Sequence, residues 1–130
     1  MIQMDENQIS REIVDSAVLI HRELGPGLLE SVYEAVLAYE LQQRGLTAQR
    51  QVPVPIEYMG IRFEEGFRAD LIVNDLVVVE LKSVSEITAA HRKQIQSYVK
   101  LRKLRLGLLL NFGSALMKNG IVRVANGMPE

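Results

Sequence analysis

The fold is decided by residues 67–82, which read FRADLIVNDLVVVELK. Two strongly apolar runs flank a short turn at Asn74-Asp75, and this pattern predicts a β-hairpin. Three charged side chains interrupt the apolar runs, namely Asp70, Glu80 and Lys82. Charged groups are seldom fully buried unless they are paired or bound to a cation. We therefore expect the chemistry of the protein at this hairpin, where one divalent metal ion would satisfy both acids.

The elements around this hairpin indicate an α/β fold. Pro53 and Pro55 lie two apart in an alternating apolar stretch, so their missing N–H groups share one edge and predict an edge strand. In chain order, periodicity and turn residues predict helices over 6–24 and 28–44, strands over 49–58, 67–73 and 76–82, a helix over 88–103, and strands over 106–111 and 121–124. This order predicts a central mixed β-sheet flanked by α-helices, whose last helix crosses over into a parallel strand.

Composition limits the class of protein. The chain has 130 residues, of which 48% are hydrophobic and 24% charged, and we expect a single domain over residues 1–130. The absence of cysteine excludes thiol nucleophiles, zinc–cysteine sites and disulfides, and suits a reducing compartment. The N-terminal stretch MIQMDEN lacks the pattern of a secretory signal, and no apolar run reaches membrane-spanning length. We expect a cytoplasmic protein without a membrane partner.

The charges are unevenly distributed, although the formal net charge is only −1. Residues 1–45 carry mostly acids, whereas residues 82–105 carry seven bases and a single acid, Glu86. A basic segment beside an acidic cluster suits a polyanion held against a metal site. An ordinary solvated helix face explains the same charges and stays open as the alternative. The basic side chains concerned are Arg92, Lys93, Lys100 and Lys103.

Helical spacing assigns polar side chains to inward positions. At 100° per residue, Glu30 falls between Leu37 and Leu41 at the rim of the apolar stripe of the second helix, so it is predicted to point toward the core. On the helix over 88–103, His91, Gln94 and Tyr98 share one stripe. Polar side chains that face inward need polar partners, so this stripe predicts a polar site beneath the helix.

Taken in order, these residues resemble the PD-(D/E)XK nuclease superfamily. Its core is a helix, a three-stranded meander, a helix and a further strand, and Asp70, the Glu80-x-Lys82 triplet and Gln94-x-x-x-Tyr98 match its motifs. More narrowly, residues 27–33, GLLESVY, look like the signature of the small bacterial GxxExxY family. The proline that names the superfamily motif has no counterpart before Asp70. That proline supplies no metal ligand, so its absence removes none of the ligands that the resemblance implies.

The resemblance implies a Mg²⁺-dependent (or Mn²⁺-dependent) nuclease that hydrolyses phosphodiester bonds in nucleic acid, with DNA as the expected substrate. Carboxylate-held Mg²⁺ can neutralise the charge that develops on the phosphate and make a water nucleophilic. It prefers hard oxygen ligands and keeps several waters. The implied metal site comprises Asp70, Glu80, the backbone carbonyl of Leu81, and Glu30 for the water shell or a second ion.

The resemblance also implies catalytic roles. Lys82 would orient or activate the attacking water, Glu30 would support the metal, and Gln94 and Tyr98 would touch the metal-bound water or the phosphate. The exposed bases at Arg92, Lys93, Lys100 and Lys103 would contact the nucleic-acid backbone with little sequence information. A homodimer stays open.

Plainer explanations exist for several of these residues. Glu30 lies in the first turn of a helix, where an acid is favoured by the macrodipole and by capping. Asp70 could form a plain buried ion pair with Lys82 or Arg68. The competing function is a catalytically silent nuclease-like module that binds nucleic acid or a protein partner. A serine or cysteine hydrolase is excluded by the lack of cysteine and of a Ser/His/Asp arrangement at recognisable spacing.

Shared metal binding requires a particular hairpin register. A two-residue turn at Asn74-Asp75 would pair Asp70 with Val79 and put Asp70 and Glu80 on opposite faces of the sheet. We therefore predict a three-residue loop over 74–76, or a bulge, that places Asp70 opposite Glu80.

Overall fold

The computed structural model describes residues 3–128 and has the predicted order of elements. The helices are α1 (Glu6–Leu24), α2 (Glu30–Gln43) and α3 (Ala89–Leu101), and the strands are β1 (Ala48–Tyr58), β2 (Ile61–Val73), β3 (Val77–Lys82), β4 (Leu106–Asn111) and β5 (Ile121–Ala125). A short 3-10 helix, Met117–Gly120, was not predicted, and β2 begins six residues earlier than expected. No helix within the described residues is long and apolar enough to cross a membrane.

Within residues 3–128, the strands form one mixed sheet in the order β1-β2-β3-β4-β5. β3 and β4 run parallel and are joined through α3, whereas the other neighbouring pairs are antiparallel. The predicted crossover is therefore confirmed. The edge position of β1, expected from Pro53 and Pro55, is confirmed as well.

The hairpin register agrees with the requirement for a shared site. Val73 pairs with Val77 and Leu71 with Val79, which leaves a three-residue loop over 74–76. Asn74 and Asp75 both have positive φ values, 51° and 55°, in this loop. The same register sets Asp70 opposite Glu80, as predicted.

The sheet separates two apolar layers. On one face, Val77, Val79 and Leu81 of β3 pack with α1 and α2, and on the other face Val78 packs with Ile95 of α3. Side chains alternate along a strand, so Glu80 and Lys82 are directed toward the α3 side. The apolar core thus directs both charged side chains of β3 to one face.

The loop between α1 and α2 is fixed by a buried tyrosine. Tyr33 stacks on Phe112 with ring centroids 4.3 Å apart. Its hydroxyl donates a hydrogen bond to the Gly25 carbonyl and accepts one from the Leu28 amide. These contacts hold the segment that leads into α2 and thereby set the position of Glu30.

We predict that Gly107→Ala displaces α3 from the sheet. A Cβ atom at Gly107 of β4 would lie 2.5 Å from Val99 Cγ2, so the substitution should lower the free energy of unfolding by about 1–3 kcal/mol. Denaturant unfolding measures the loss. Val99→Ala removes the clashing atom, so the double variant should lose less than the sum of the two single losses. Additive losses would contradict this packing.

Candidate functional site

The site lies where β2 and β3 separate. The backbone pairing between β2 and β3 ends at Leu71 and Val79. Beyond this pair, the side chains of the two acids accept hydrogen bonds from the backbone. The Asp70 amide donates to Glu80 Oε1 at 3.0 Å, and the Leu81 amide donates to Asp70 Oδ2 at 2.9 Å. Each carboxylate therefore accepts a backbone proton from the opposite strand, and the two acids are held side by side.

The two acids resist being ionised together. Glu80 is only 5% exposed, and burial together with the charge of Asp70 raises the pKa of Glu80 from 4.5 to about 9. Lys82 opposes this shift in the pKa through its positive charge. Within residues 3–128, neither Asp70 nor Glu80 has an ion-pair partner within 4.0 Å, and Arg68 pairs with Glu65 instead, at 2.7 Å. The alternative of a plain buried ion pair of Asp70 with Lys82 or Arg68 is therefore wrong.

The donor set fits a small hard cation. Among the described residues, no group of three or more His, Asp and Glu side chains is arranged to hold a metal ion. Asp70 and Glu80 nevertheless bring two carboxylates together, and the carbonyl of Leu81 lies in the same segment of β3. Mg²⁺ commonly binds through one or two carboxylates and keeps several waters, so two acids are enough for it.

Glu30 does not point into the core, which corrects the expectation from its helical position. Its side chain is exposed, and its Oε1 accepts a hydrogen bond from the Ser83 amide at 3.3 Å. The helical spacing predicted the side of α2 on which Glu30 lies. It could not predict that the side chain at this end of the helix is exposed. Glu30 is the first residue of α2, and its carboxylate meets the Ser83 amide just after β3 ends, so its side chain lies beyond the end of that strand. Glu30 thus lies at the margin of the site.

The buried acid of α2 is Glu34, which was not among the predicted site residues. Glu34 is 5% exposed and receives hydrogen bonds from Arg50 Nε to Oε2 at 3.0 Å and from Gln51 Nε2 to Oε1 at 2.6 Å. Gln51 Nε2 also lies 3.3 Å from Asp70 Oδ1. The one sequence signal for Glu34 is its spacing of four residues from Glu30, which puts both on one face of α2.

Gln94 and Tyr98 lie on the half-buried face of α3, while Ile95 and Val99 anchor that helix in the core. Tyr98 stacks on Phe67 of β2, with ring centroids 3.7 Å apart and an interplanar angle of 6°. Burial and the negative charges of Glu80 and Asp70 raise the pKa of the Tyr98 phenol, whereas a hydrogen bond with Gln94 lowers it. Tyr98 is therefore near enough to the acid pair for its pKa to respond to their charge, and Gln94 lies beside Tyr98. The catalytic roles of both side chains stay predictions.

His91 has a structural role. The Thr88 amide donates to His91 Nδ1 at 3.1 Å, and the His91 amide donates to Thr88 Oγ1 at 3.2 Å. The two residues form the capping box of α3. The imidazole is thus used at the helix terminus.

The predicted basic face is solvent-exposed. Arg105, which adds to the positive charge of this segment, is instead paired with Glu6 at 2.9 Å. Four bases were predicted to contact nucleic acid, and none of them forms an ion pair within 4.0 Å in the described part of the chain. These four exposed side chains are Arg92, Lys93, Lys100 and Lys103.

The fold and its acid pair define a class of protein. A mixed sheet flanked by helices, with two acids and a lysine on the central hairpin, is the α/β architecture of PD-(D/E)XK nucleases. Residues 7–124 match the family model described as the PD-(D/E)XK nuclease superfamily, and the chain belongs to that superfamily. No curated protein and no solved structure matches the chain.

We predict that the metal-free protein loses stability as pH rises, because of Glu80. The pKa of Glu80 is about 9 in the folded state and an ordinary 4.5 when unfolded, so between these values the folded state binds the extra proton. Stability is then highest below pH 4.5 for this group and falls until about pH 9. Glu80→Gln keeps the acceptor oxygen without the charge, and should raise Tm at pH 9 by about 5 °C or more.

Thermal melts across this pH range, recorded in a chelator, test the prediction. Glu64→Gln is the matched control, because the Glu64 side chain is 79% exposed on the β1–β2 hairpin. We expect the control to follow the wild-type curve. Parallel curves for wild type and Glu80→Gln would contradict the proposed effect of burial.

Proposed function

We propose that the protein is a Mg²⁺- or Mn²⁺-dependent nuclease of the GxxExxY type that hydrolyses phosphodiester bonds, with DNA as its substrate. The observation that carries the proposal is the buried acid pair, Asp70 and Glu80, held side by side without an ion-pair partner among the described residues. Burial and the charge of Asp70 together raise the pKa of Glu80, and a divalent cation would favour the ionised form against both. When bound, it would supply charge neutralisation at the phosphate and an acidified water.

The residues of the chain would then divide the remaining tasks. Asp70 and Glu80 hold the cation, with the Leu81 carbonyl as a third oxygen. Lys82 follows them on the same face of the hairpin, close enough to lower the pKa of Glu80, and in this proposal it positions the attacking water. Gln94 and Tyr98 contact the phosphate or its water from α3, and Glu30 acts from the margin through the outer water shell.

The path of the nucleic acid would follow α3. Three exposed bases of α3 (Arg92, Lys93 and Lys100) and Lys103 just after it would contact phosphates, which provides affinity without reading the sequence. α3 covers the sheet face to which Glu80 and Lys82 point, so these bases lie on the same side of the sheet as the acid pair.

The first prediction from this proposal separates chemistry from metal binding. Lys82→Ala keeps both carboxylates, so Mn²⁺ should still raise Tm while the rate of DNA cleavage falls about 10²-fold or more. Glu80→Ala should abolish both the Tm shift and cleavage. Cleavage of single-stranded, duplex and nicked DNA with Mn²⁺ and with chelator, together with thermal melts, measures these effects. A wild-type chain that binds Mn²⁺ and nucleic acid but cleaves none of these substrates would instead be the catalytically silent module.

A second prediction concerns the basic face of α3. Replacing Lys93, Lys100 and Lys103 together with Ala should weaken DNA association and reduce the slope of log K against log salt by about 2–3 for a duplex. The matched control replaces three exposed bases away from α3 with Ala, namely Arg11, Arg22 and Lys118. Fluorescence anisotropy at several salt concentrations compares the two triple variants. Equal losses in both would show that only net charge matters and would contradict a path along α3.

A further inference from the structure

A left-handed residue interrupts β1 beside the acid pair. Gln51 has φ of 52°, a backbone conformation that is uncommon outside glycine. The flanking pairs keep their register, Arg50 with Leu71 and Val52 with Ala69. The other non-glycine residues with positive φ among the described residues all lie in turns, namely Met59, Asn74, Asp75 and Lys103. Gln51 is therefore distinctive, because its unfavourable backbone lies inside a strand.

The left-handed backbone redirects the side chain of Gln51. Consecutive side chains of a regular strand point to opposite faces of the sheet. Here Arg50 and Gln51 both reach the carboxylate of Glu34, one at each oxygen. The irregular backbone thus brings two neighbouring side chains of β1 to the same buried acid.

The Gln51 amide also reaches the acid of the candidate site. Nε2 lies 2.6 Å from Glu34 Oε1 and 3.3 Å from Asp70 Oδ1, and an amide nitrogen carries two protons, so it can donate to both. Asp70 Oδ2 accepts from the Leu81 amide at 2.9 Å. Each oxygen of Asp70 is thus held by one donor, which fixes the plane of its carboxylate.

We propose that Gln51 is a positioning residue, which orients the Asp70 carboxylate for cation binding and uses Glu34 as its anchor. This proposal rests on the nuclease function proposed above and adds a residue to its site. Locally unfavourable backbone persists where the surrounding structure fixes it, and functional sites are where it collects. Here the Arg50–Glu34 pair supplies the fixing contacts. Gln51 itself acts through Asp70 and is assigned no contact with substrate.

The first arm of the test needs no metal. The side-chain amide protons of Gln51 are observed by ¹⁵N–¹H NMR in chelator, in the wild type and in Asp70→Asn. We expect their resonances to shift in Asp70→Asn, because an acceptor charge is removed, and to stay in place in the control Glu64→Gln. Unchanged Gln51 resonances in Asp70→Asn would overturn the proposal.

The second arm measures Mn²⁺ affinity by calorimetry. Gln51→Asn keeps an amide and tolerates the left-handed backbone, but it is one methylene too short to reach both carboxylates. We expect Mn²⁺ affinity to fall about 10-fold or more, as for other outer-shell partners of metal ligands. DNA association in chelator should be unchanged. Met59→Asn, a change at an equally left-handed residue in the β1–β2 turn, should leave Mn²⁺ affinity unchanged.

The outcomes separate the two proposals. Wild-type Mn²⁺ affinity in a folded Gln51→Asn variant would overturn the positioning role. A wild-type chain that binds Mn²⁺ but cleaves no nucleic acid would overturn the nuclease function, while weaker Mn²⁺ binding by Gln51→Asn would still support the role of Gln51. If the wild type binds no Mn²⁺, the metal-dependent function fails, and with it the role of Gln51 in cation binding, whether or not the Gln51 resonances report the contact with Asp70.

Discussion

The arrangement of the site depends on one pair of reciprocal hydrogen bonds at the end of a β-ladder. Two neighbouring carboxylates repel each other, and burial makes the repulsion stronger. Here the repulsion is opposed because Asp70 accepts from the Leu81 amide and Glu80 accepts from the Asp70 amide. These contacts exist only because β2 and β3 stop pairing directly at Leu71 and Val79. The strand separation therefore creates the acid pair and satisfies the backbone donors that it releases.

The apolar layers bring polar groups to this point from several elements. α3 is anchored in the core by Ile95 and Val99, so its Tyr98 side chain comes near the acid pair. α2 contributes Glu34, which is buried but doubly hydrogen-bonded from β1. A buried charge without partners would destabilise the fold severely. The network from Arg50 through Glu34 and Gln51 to Asp70 thus lets a charged site lie against an apolar core.

Sequence patterns predicted the elements well because their signals are local. The bounds of α1 and β4 follow directly from apolar periodicity and from an unbroken apolar run. The hairpin register was predictable because two acids needed the same face. The burial of Glu30 was predicted wrongly because helical spacing shows on which side of a helix a residue lies. It does not show whether that end of the helix is covered by the rest of the protein. Gln51 was invisible because glutamine carries no signal for a positive φ, and its role appears only when Glu34 and Asp70 are brought together in three dimensions.

The position of Lys82 leaves the negative charge of the acid pair only partly offset. A lysine in direct contact with Glu80 would neutralise it and leave little need for a cation. Lys82 is instead near enough to lower the pKa of Glu80, yet it forms no ion pair within 4.0 Å in the described part of the chain. The net charge of the three groups stays negative when both acids are ionised. In the proposed function, a lysine that is near the two acids but not ion-paired with them would leave the carboxylates free to bind a divalent cation. Its own ammonium would stay free to contact a water or a phosphate oxygen.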